Sequence, residues 1–230
     1  MADFIVYGSP LSPFVRKVES ALRIAGAEYD FENINIMDMP DWFKEISPAR
    51  RIPVLRDKTI GTTGIPGTIA DSSAICLFLE KRFDTGLYGK DAFEAGRVAW
   101  FEEYADSAVA MTLGMHLFRP LIFPLFAGKP SDVDTARATM KEKLPEFFDY
   151  LESSLDGNAY LVGDSLSVAD LSVAAQMSQL YLVAGLPDKT RWPSLVKHTE
   201  TMMAHPSFSE NLTTCAAILK SIMPEKADLS

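Results

Sequence analysis

The segment Arg51-Ile52-Pro53-Val54-Leu55 places a proline at the mouth of a run that otherwise reads as a strand. Proline has no N–H, so a central strand excludes it unless the position is a special one. A cis turn is such a position, because it leaves neighbouring N–H and C=O groups free to pair with an extended peptide. Downstream, Asp71-Ser72-Ser73 leads into Ala74-Ile75-Cys76-Leu77-Phe78-Leu79. The side-chain oxygens and helix N-terminal amides there offer a grip on an amino-acid end by both of its charges. Taken singly, each motif has a structural reading, an edge strand for the first and an N-cap for the second.

Strand and helix signals alternate around these motifs. Phe4-Ile5-Val6-Tyr7 is a short apolar run, as a strand buried on both faces requires. From Pro13, the positions Val15, Val18, Leu22 and Ala25 recur at helical spacing, and Gly26 supplies a stop. Residues 28–32 alternate as a strand with one wet face, and Asp41 to Glu45 is a short helix before Pro48. Pro53 to Arg56 and Gly67 to Ala70 read as a strand pair. Asp71 to Phe83 is an amphipathic helix with Ile75, Phe78, Leu79 and Phe83 on one face. The order is βαβ–α–ββα.

The rest is helical. A long helix is expected from about Ala92 to Phe118, ended by Pro120 and Pro124. Ser131-x-x-Asp134 resembles a capping box, and Pro145 should kink the helix that follows. Ser167 and Asp170 form a reciprocal cap, with Leu166 and Leu171 as the staple, for a helix apolar on nearly every side. That helix should be the buried centre. Trp192-Pro193 and Pro206-Ser207-Phe208 start the last two. The expected division is residues 1–83, a linker at 84–91, and residues 92–230.

Composition excludes several classes. Among 230 residues the net charge is −9, which argues against a sequence-independent nucleic-acid binder. No basic n-region precedes an apolar run at the N-terminus, and no uninterrupted apolar segment reads as long enough to span a bilayer. Cys76 and Cys215 lie far apart with no C-x-x-C, as suits a reducing cytoplasm. His116, His198 and His205 form no metal-ligand pattern, and no nucleophile elbow is present.

Ile52-Pro53-Val54, Asp71-Ser72, Ser167-Val168-Ala169-Asp170, and Arg191-Trp192-Pro193 with Pro206-Ser207-Phe208 occur in an order that resembles the cytosolic glutathione S-transferases. The resemblance covers nearly the whole chain. It implies an α/β thioredoxin-like N-terminal domain, an all-α C-terminal domain, a homodimer formed through the third and the long helix, and a cytoplasmic protein. Ser12-Pro13-Phe14 resembles the tau class, and Pro40-Asp41-Trp42-Phe43 resembles omega and related bacterial members. A serine-type member is therefore expected.

The resemblance also implies site roles. Ser12, with Phe14 beside it, is expected to donate to the sulfur of glutathione; the competitors are Ser9 and Tyr7. Serine at an N-cap before proline is also a routine helix start, and the two roles are compatible. A free thiol has a pKa of about 8.5, and lowering it by about two units is worth roughly 2.7 kcal/mol. A hydroxyl and helix amides are able to supply that. Ile52 beside Pro53 would pair with the cysteinyl backbone, and Asp71 and Ser72 would hold the γ-glutamyl end. Arg50 or Arg51 would meet the glycyl carboxylate, or would stand as a solvated basic pair.

Three features depart from the family pattern. Aspartate replaces the usual glutamate, Met39 stands where omega-like members have lysine, and Asp57 to Gly67 is a long Gly/Thr-rich loop. That loop is expected near the glutathione site, with no phosphate role.

The electrophile pocket is expected from Met111, Met115, His116, Phe118 and Arg119, with Phe123 and Phe126, although such a stripe is commonly core. Serine in place of cysteine at position 12 favours conjugation, addition or displacement over thiol exchange. The alternatives are a non-catalytic module of the same fold and a dedicated lyase, isomerase or etherase. Glutathione is the expected co-substrate, with no metal.

Overall fold

Four strands form a mixed sheet in the order β2-β1-β3-β4, from β1 (Phe4–Gly8), β2 (Tyr29–Asn33), β3 (Val54–Asp57) and β4 (Thr68–Ile69). β1 runs parallel to β2 and antiparallel to β3, and β3 is antiparallel to β4. The helices here are α1 (Pro13–Ile24), α2 (Asp41–Ile46) and α3 (Ser72–Phe83). This is the thioredoxin-like arrangement. The structure is a computed structural model that describes residues 2–230, and it divides into two compact units at the Tyr88–Gly89 junction.

In the first unit, Val6, Val15, Val18, Leu22, Val54, Ile75 and Leu79 are fully buried. The helical periodicity in α1 holds, but Arg16, Lys17, Glu19 and Ser20 are buried as well. β2 is an edge strand whose Phe31 remains 37% exposed, so its apolar face is largely open. On α3 the buried residues are Ser72, Ile75, Cys76 and Leu79. Phe83, expected on that face, is 38% exposed and meets Phe4 edge-on at 6.0 Å.

The second unit is all-helical: α4 (Ala92–Phe126), α5 (Val133–Ala138), α6 (Leu144–Leu155), α7 (Val168–Val183), α8 (Pro193–Ala204) and α9 (Pro206–Ile222). Every residue of α7 except Tyr181 is buried, as its all-round apolar pattern predicts. Its capping box is present, and Asp170 does more than cap. Its carboxylate accepts from Leu161 N and Ser167 N at 2.9 Å and pairs with His198 Nε2 at 3.0 Å in full burial.

The long helix departs from expectation. It passes through Pro120 and Pro124 and ends at Phe126. A helical proline orphans the carbonyl four residues earlier, and here both orphans find partners. Thr139 Oγ1 lies 2.9 Å from the His116 carbonyl and shares its one proton between it and the Thr135 carbonyl, also at 2.9 Å, and Asp132 N donates to the Pro120 carbonyl at 3.0 Å. Ser131 Oγ adds a bond to the Leu121 carbonyl at 2.6 Å. Ser131 turns its hydroxyl toward α4, and Asp132 caps α5 by accepting from Thr135 N at 3.0 Å. Pro145 stands in the first turn of α6, directly after π turns at Thr139–Lys143, where its missing N–H is tolerated.

No uninterrupted apolar run of membrane-spanning length occurs in the sequence, yet one helix is apolar enough on average. By length and composition α4 qualifies, with 35 residues and an 18-residue stretch of mean hydropathy 1.4. It packs against α7, and 39% of that stretch is buried.

Candidate functional site

The register of the sheet brings the first-unit motifs to one edge. Tyr7 pairs with Val54, and Leu55 pairs with Ile69. β1 therefore ends where β3 begins and β4 ends. The segment carrying Ser12 leaves this edge, Ile52-Pro53 enters it, and Asp71-Ser72 leaves it. A second tie holds the two helix starts: Lys17 Nζ donates to Ser73 Oγ at 3.3 Å.

Ser12 is the N-cap of α1, with extended backbone and Pro13 in the first turn. Its hydroxyl oxygen accepts from Val15 N at a long 3.4 Å, so the hydroxyl proton is not used by the cap. Val15 also explains Gly8, because a Cβ there would sit 2.5 Å from Val15 Cγ2. Phe14 is half-buried in the same turn. Ser9 contributes its carbonyl, which accepts from Ser12 N at 3.0 Å.

Tyr7 is placed otherwise. It is 5% exposed, its ring meets Trp42 and Phe43 edge-on, and its hydroxyl accepts from Arg56 Nε at 3.1 Å.

The Ile52-Pro53 peptide is cis. Among the described residues, neither the N–H nor the C=O of Ile52 has a hydrogen-bond partner. The approach to it is fixed by Ser47, which is buried. Its hydroxyl donates to the Arg51 carbonyl at 2.7 Å and accepts from Arg51 N at 3.1 Å. Arg50 adopts φ 53, a left-handed conformation that glycine takes more readily. Arg50 and Arg51 are exposed, and no carboxylate among the described residues pairs with either.

Asp71 is the N-cap of α3. Its Oδ1 accepts from Ser73 N at 2.9 Å and Ala74 N at 3.1 Å, which leaves Oδ2 uncommitted. Ser72 is 5% exposed in the first turn.

The long loop is built around one buried guanidinium. Arg56 is 2% exposed and donates to the carbonyls of Gly61, Gly64 and Pro66 at 2.8–3.2 Å, in addition to Tyr7. Gly61 and Gly67 are required there, since a Cβ at either would lie 2.5 Å from a backbone oxygen.

In the second unit, Met111, Met115, His116 and Arg119 lie on the open side of α4. Phe118 is 7% exposed and belongs to the buried side. Residues Met111–Phe118 are π-helical, a geometry found mostly in single turns and frequently at functional sites. Among the described residues no group of three His, Cys, Asp or Glu side chains is placed to hold a metal.

Sequence reasoning missed Lys17, Ser47, Arg56 and His198. A charged residue in a helix or strand reads as a wet position, and Arg56, followed by Asp57 at the end of β3, carried no local signal of burial.

A thioredoxin-like unit with an unpaired backbone before a cis proline, followed in sequence by an all-helical unit, defines the class. The family models agree. "Glutathione S-transferase, N-terminal domain" matches residues 6–87, and "Glutathione S-transferase, C-terminal domain" matches residues 117–213. Glutathione S-transferase D6 of Drosophila melanogaster is 28% identical over 216 residues, covering 90% of this chain and 91% of the relative. A glutathione S-transferase structure from Rhodospirillum rubrum F11 superposes with a TM-score of 0.80 at 24% identity, covering 91% and 92% of the two chains. A homolog from Drosophila mojavensis with bound glutathione gives 0.75 at 24%, covering 96% and 98%. The structural likenesses carry the fold. The family models and relatives carry the membership: this chain belongs to the cytosolic glutathione S-transferase family.

Proposed function

We propose that the chain conjugates glutathione to a small hydrophobic electrophile, with Ser12 as the group that stabilises the thiolate. The carrying observation is the meeting of three motifs at one sheet edge, where the Ser12 hydroxyl keeps its proton and Ile52 keeps its backbone unpaired. In this reading Ile52 pairs with the cysteinyl backbone. Asp71 Oδ2 takes the γ-glutamyl ammonium, and Ser72 at the start of α3 takes its carboxylate. Arg51, with Arg50, meets the glycyl carboxylate, and Phe14 walls the sulfur.

The Ser12 hydroxyl donates to the sulfur while the first turn of α1 contributes its positive end. The thiol proton leaves to solvent. The sulfur lone pair forms a C–S bond at the electrophilic carbon, and the leaving group departs with the electrons of its own bond. Tyr7 is 5% exposed with its ring packed against Trp42 and Phe43, whereas Ser12 is half-buried, which supports Ser12 as the donor.

The electrophile is met by the open face of α4, at Met111, Met115, His116 and Arg119. The protein works as a homodimer in the cytoplasm. The exposed Leu77 on α3 and Phe93 and Trp100 on α4 support the dimer, and Cys76 and Cys215, both buried and outside any disulfide, suit a reducing compartment.

Turnover of a chloro-dinitrobenzene with glutathione tests the proposal. Ser12→Ala should lower kcat by about 100-fold while glutathione affinity changes little. Unchanged kcat would remove Ser12 from the chemistry.

A further inference from the structure

The open face of α4 carries a charge, Arg119, that no carboxylate among the described residues pairs. Met111, Met115, Arg119 and Phe123 succeed one another at intervals of four. Met111 is 60% and Met115 41% exposed, and Phe126 extends the face at 59%. The Arg119 guanidinium rests 5.0 Å over the Phe123 ring, and that ring meets Phe126 edge-on at 6.5 Å. Among the described residues no carboxylate is within salt-bridge range of Arg119, and no carbonyl accepts from it. Of the other arginines of this unit, Arg137 and Arg191 are each paired with an aspartate, and Arg97 rests 4.8 Å over the Phe101 ring.

An exposed cation costs little unpaired in water. Its position in the middle of a thioether and aromatic stripe is the informative feature. Ring contact already restricts the Arg119 side chain, and its N–H fork matches a carboxylate bidentately. The backbone beneath is held by the Thr139, Ser131 and Asp132 bonds to α4 carbonyls. The face therefore presents a fixed cation flanked by soft apolar surface.

We propose that the preferred electrophile is an aromatic or similarly flat apolar molecule bearing a carboxylate, and that Arg119 selects it. The inference rests on the reading that this face of α4 meets the electrophile.

The test compares two probes, a chloro-dinitrobenzoate and the neutral amide of the same acid. Thiolate attack forms the C–S bond and expels chloride from both. The quantity read is the ratio of kcat/KM, acid over amide. Arg119→Met should lower this ratio by about ten- to a hundred-fold relative to the parent protein, chiefly through KM of the acid. Arg119→Lys should keep part of it.

An unchanged ratio in Arg119→Met overturns the charge proposal. Met115→Asp separates that failure from failure of the underlying reading. If it raises KM for both probes, the face meets the electrophile and only the role of Arg119 is lost. If it leaves both KM values untouched, the face is not the electrophile wall and the proposal falls with it. A stripe covered by a second copy would show Arg119→Met shifting the sedimentation coefficient with the ratio constant, which also overturns the proposal.

Discussion

Arg56 Nε donates to the hydroxyl of Tyr7 across 3.1 Å in a buried setting, joining β3 to β1 through their side chains. The same guanidinium takes three loop carbonyls, so one residue organises the insertion between β3 and β4. Arg56→Met should leave a buried hydroxyl and three carbonyls short of a donor. Each buried loss costs about 1–3 kcal/mol, reduced where water reaches the loop. Denaturant unfolding should show a loss of at least about 3 kcal/mol, and hydrogen exchange should quicken across Asp57–Gly67. Tyr7→Phe leaves only the buried Arg56 Nε short of an acceptor and should cost about 1–3 kcal/mol, with catalysis retained.

Thr139 repairs the break that Pro120 makes in α4. Its hydroxyl shares one proton between the His116 and Thr135 carbonyls, each at 2.9 Å, and it is 1% exposed. Thr139→Val keeps shape and volume but strands the His116 carbonyl, for a cost of about 1–3 kcal/mol in chemical unfolding. Pro120→Ala restores a helical N–H for the same carbonyl. The double variant should therefore lose less than the sum of the two single losses, and a strictly additive result would disprove the link.

Acid stability has an identifiable contributor in Asp149. The Trp192 indole N–H donates to its carboxylate at 2.7 Å, and Arg191 approaches at 2.9 Å. The indole bond is the largest cause that holds its pKa below the ordinary carboxylate value; burial opposes it, and the bond and charge of Arg191 add to the lowering. A depressed folded-state pKa stabilises above the unfolded pKa, and that stabilisation is lost as pH falls through the folded value. Asp149→Asn should be less stable than the parent at neutral pH, and the gap should close in acid. A gap constant with pH would assign the loss to packing.

The motifs that defined the family were legible because each is local: a proline before a β-run, an acidic cap before an apolar run, a capping box. The buried centre at α7 was legible for the same reason, from apolar residues on every side. What sequence hid was non-local. The burial of Arg16 and Lys17 depends on what packs over α1, and the role of Arg56 depends on a loop that folds back to it. Ending α4 at Pro120 followed the propensity of proline, which tertiary partners from Thr139, Ser131 and Asp132 override. The cap of α5 stands one residue later than Ser131, at Asp132.

The central claim is that Ser12 at the start of α1 stabilises a thiolate on bound glutathione. The most direct measurement is the thiolate absorbance of the glutathione complex against pH, for the parent protein and Ser12→Ala. A bound-thiol pKa about two units below that of the free thiol, reverting by most of that shift in Ser12→Ala, is the predicted result. A bound thiol that titrates as it does in free glutathione, or a depressed pKa that Ser12→Ala leaves in place, would contradict it.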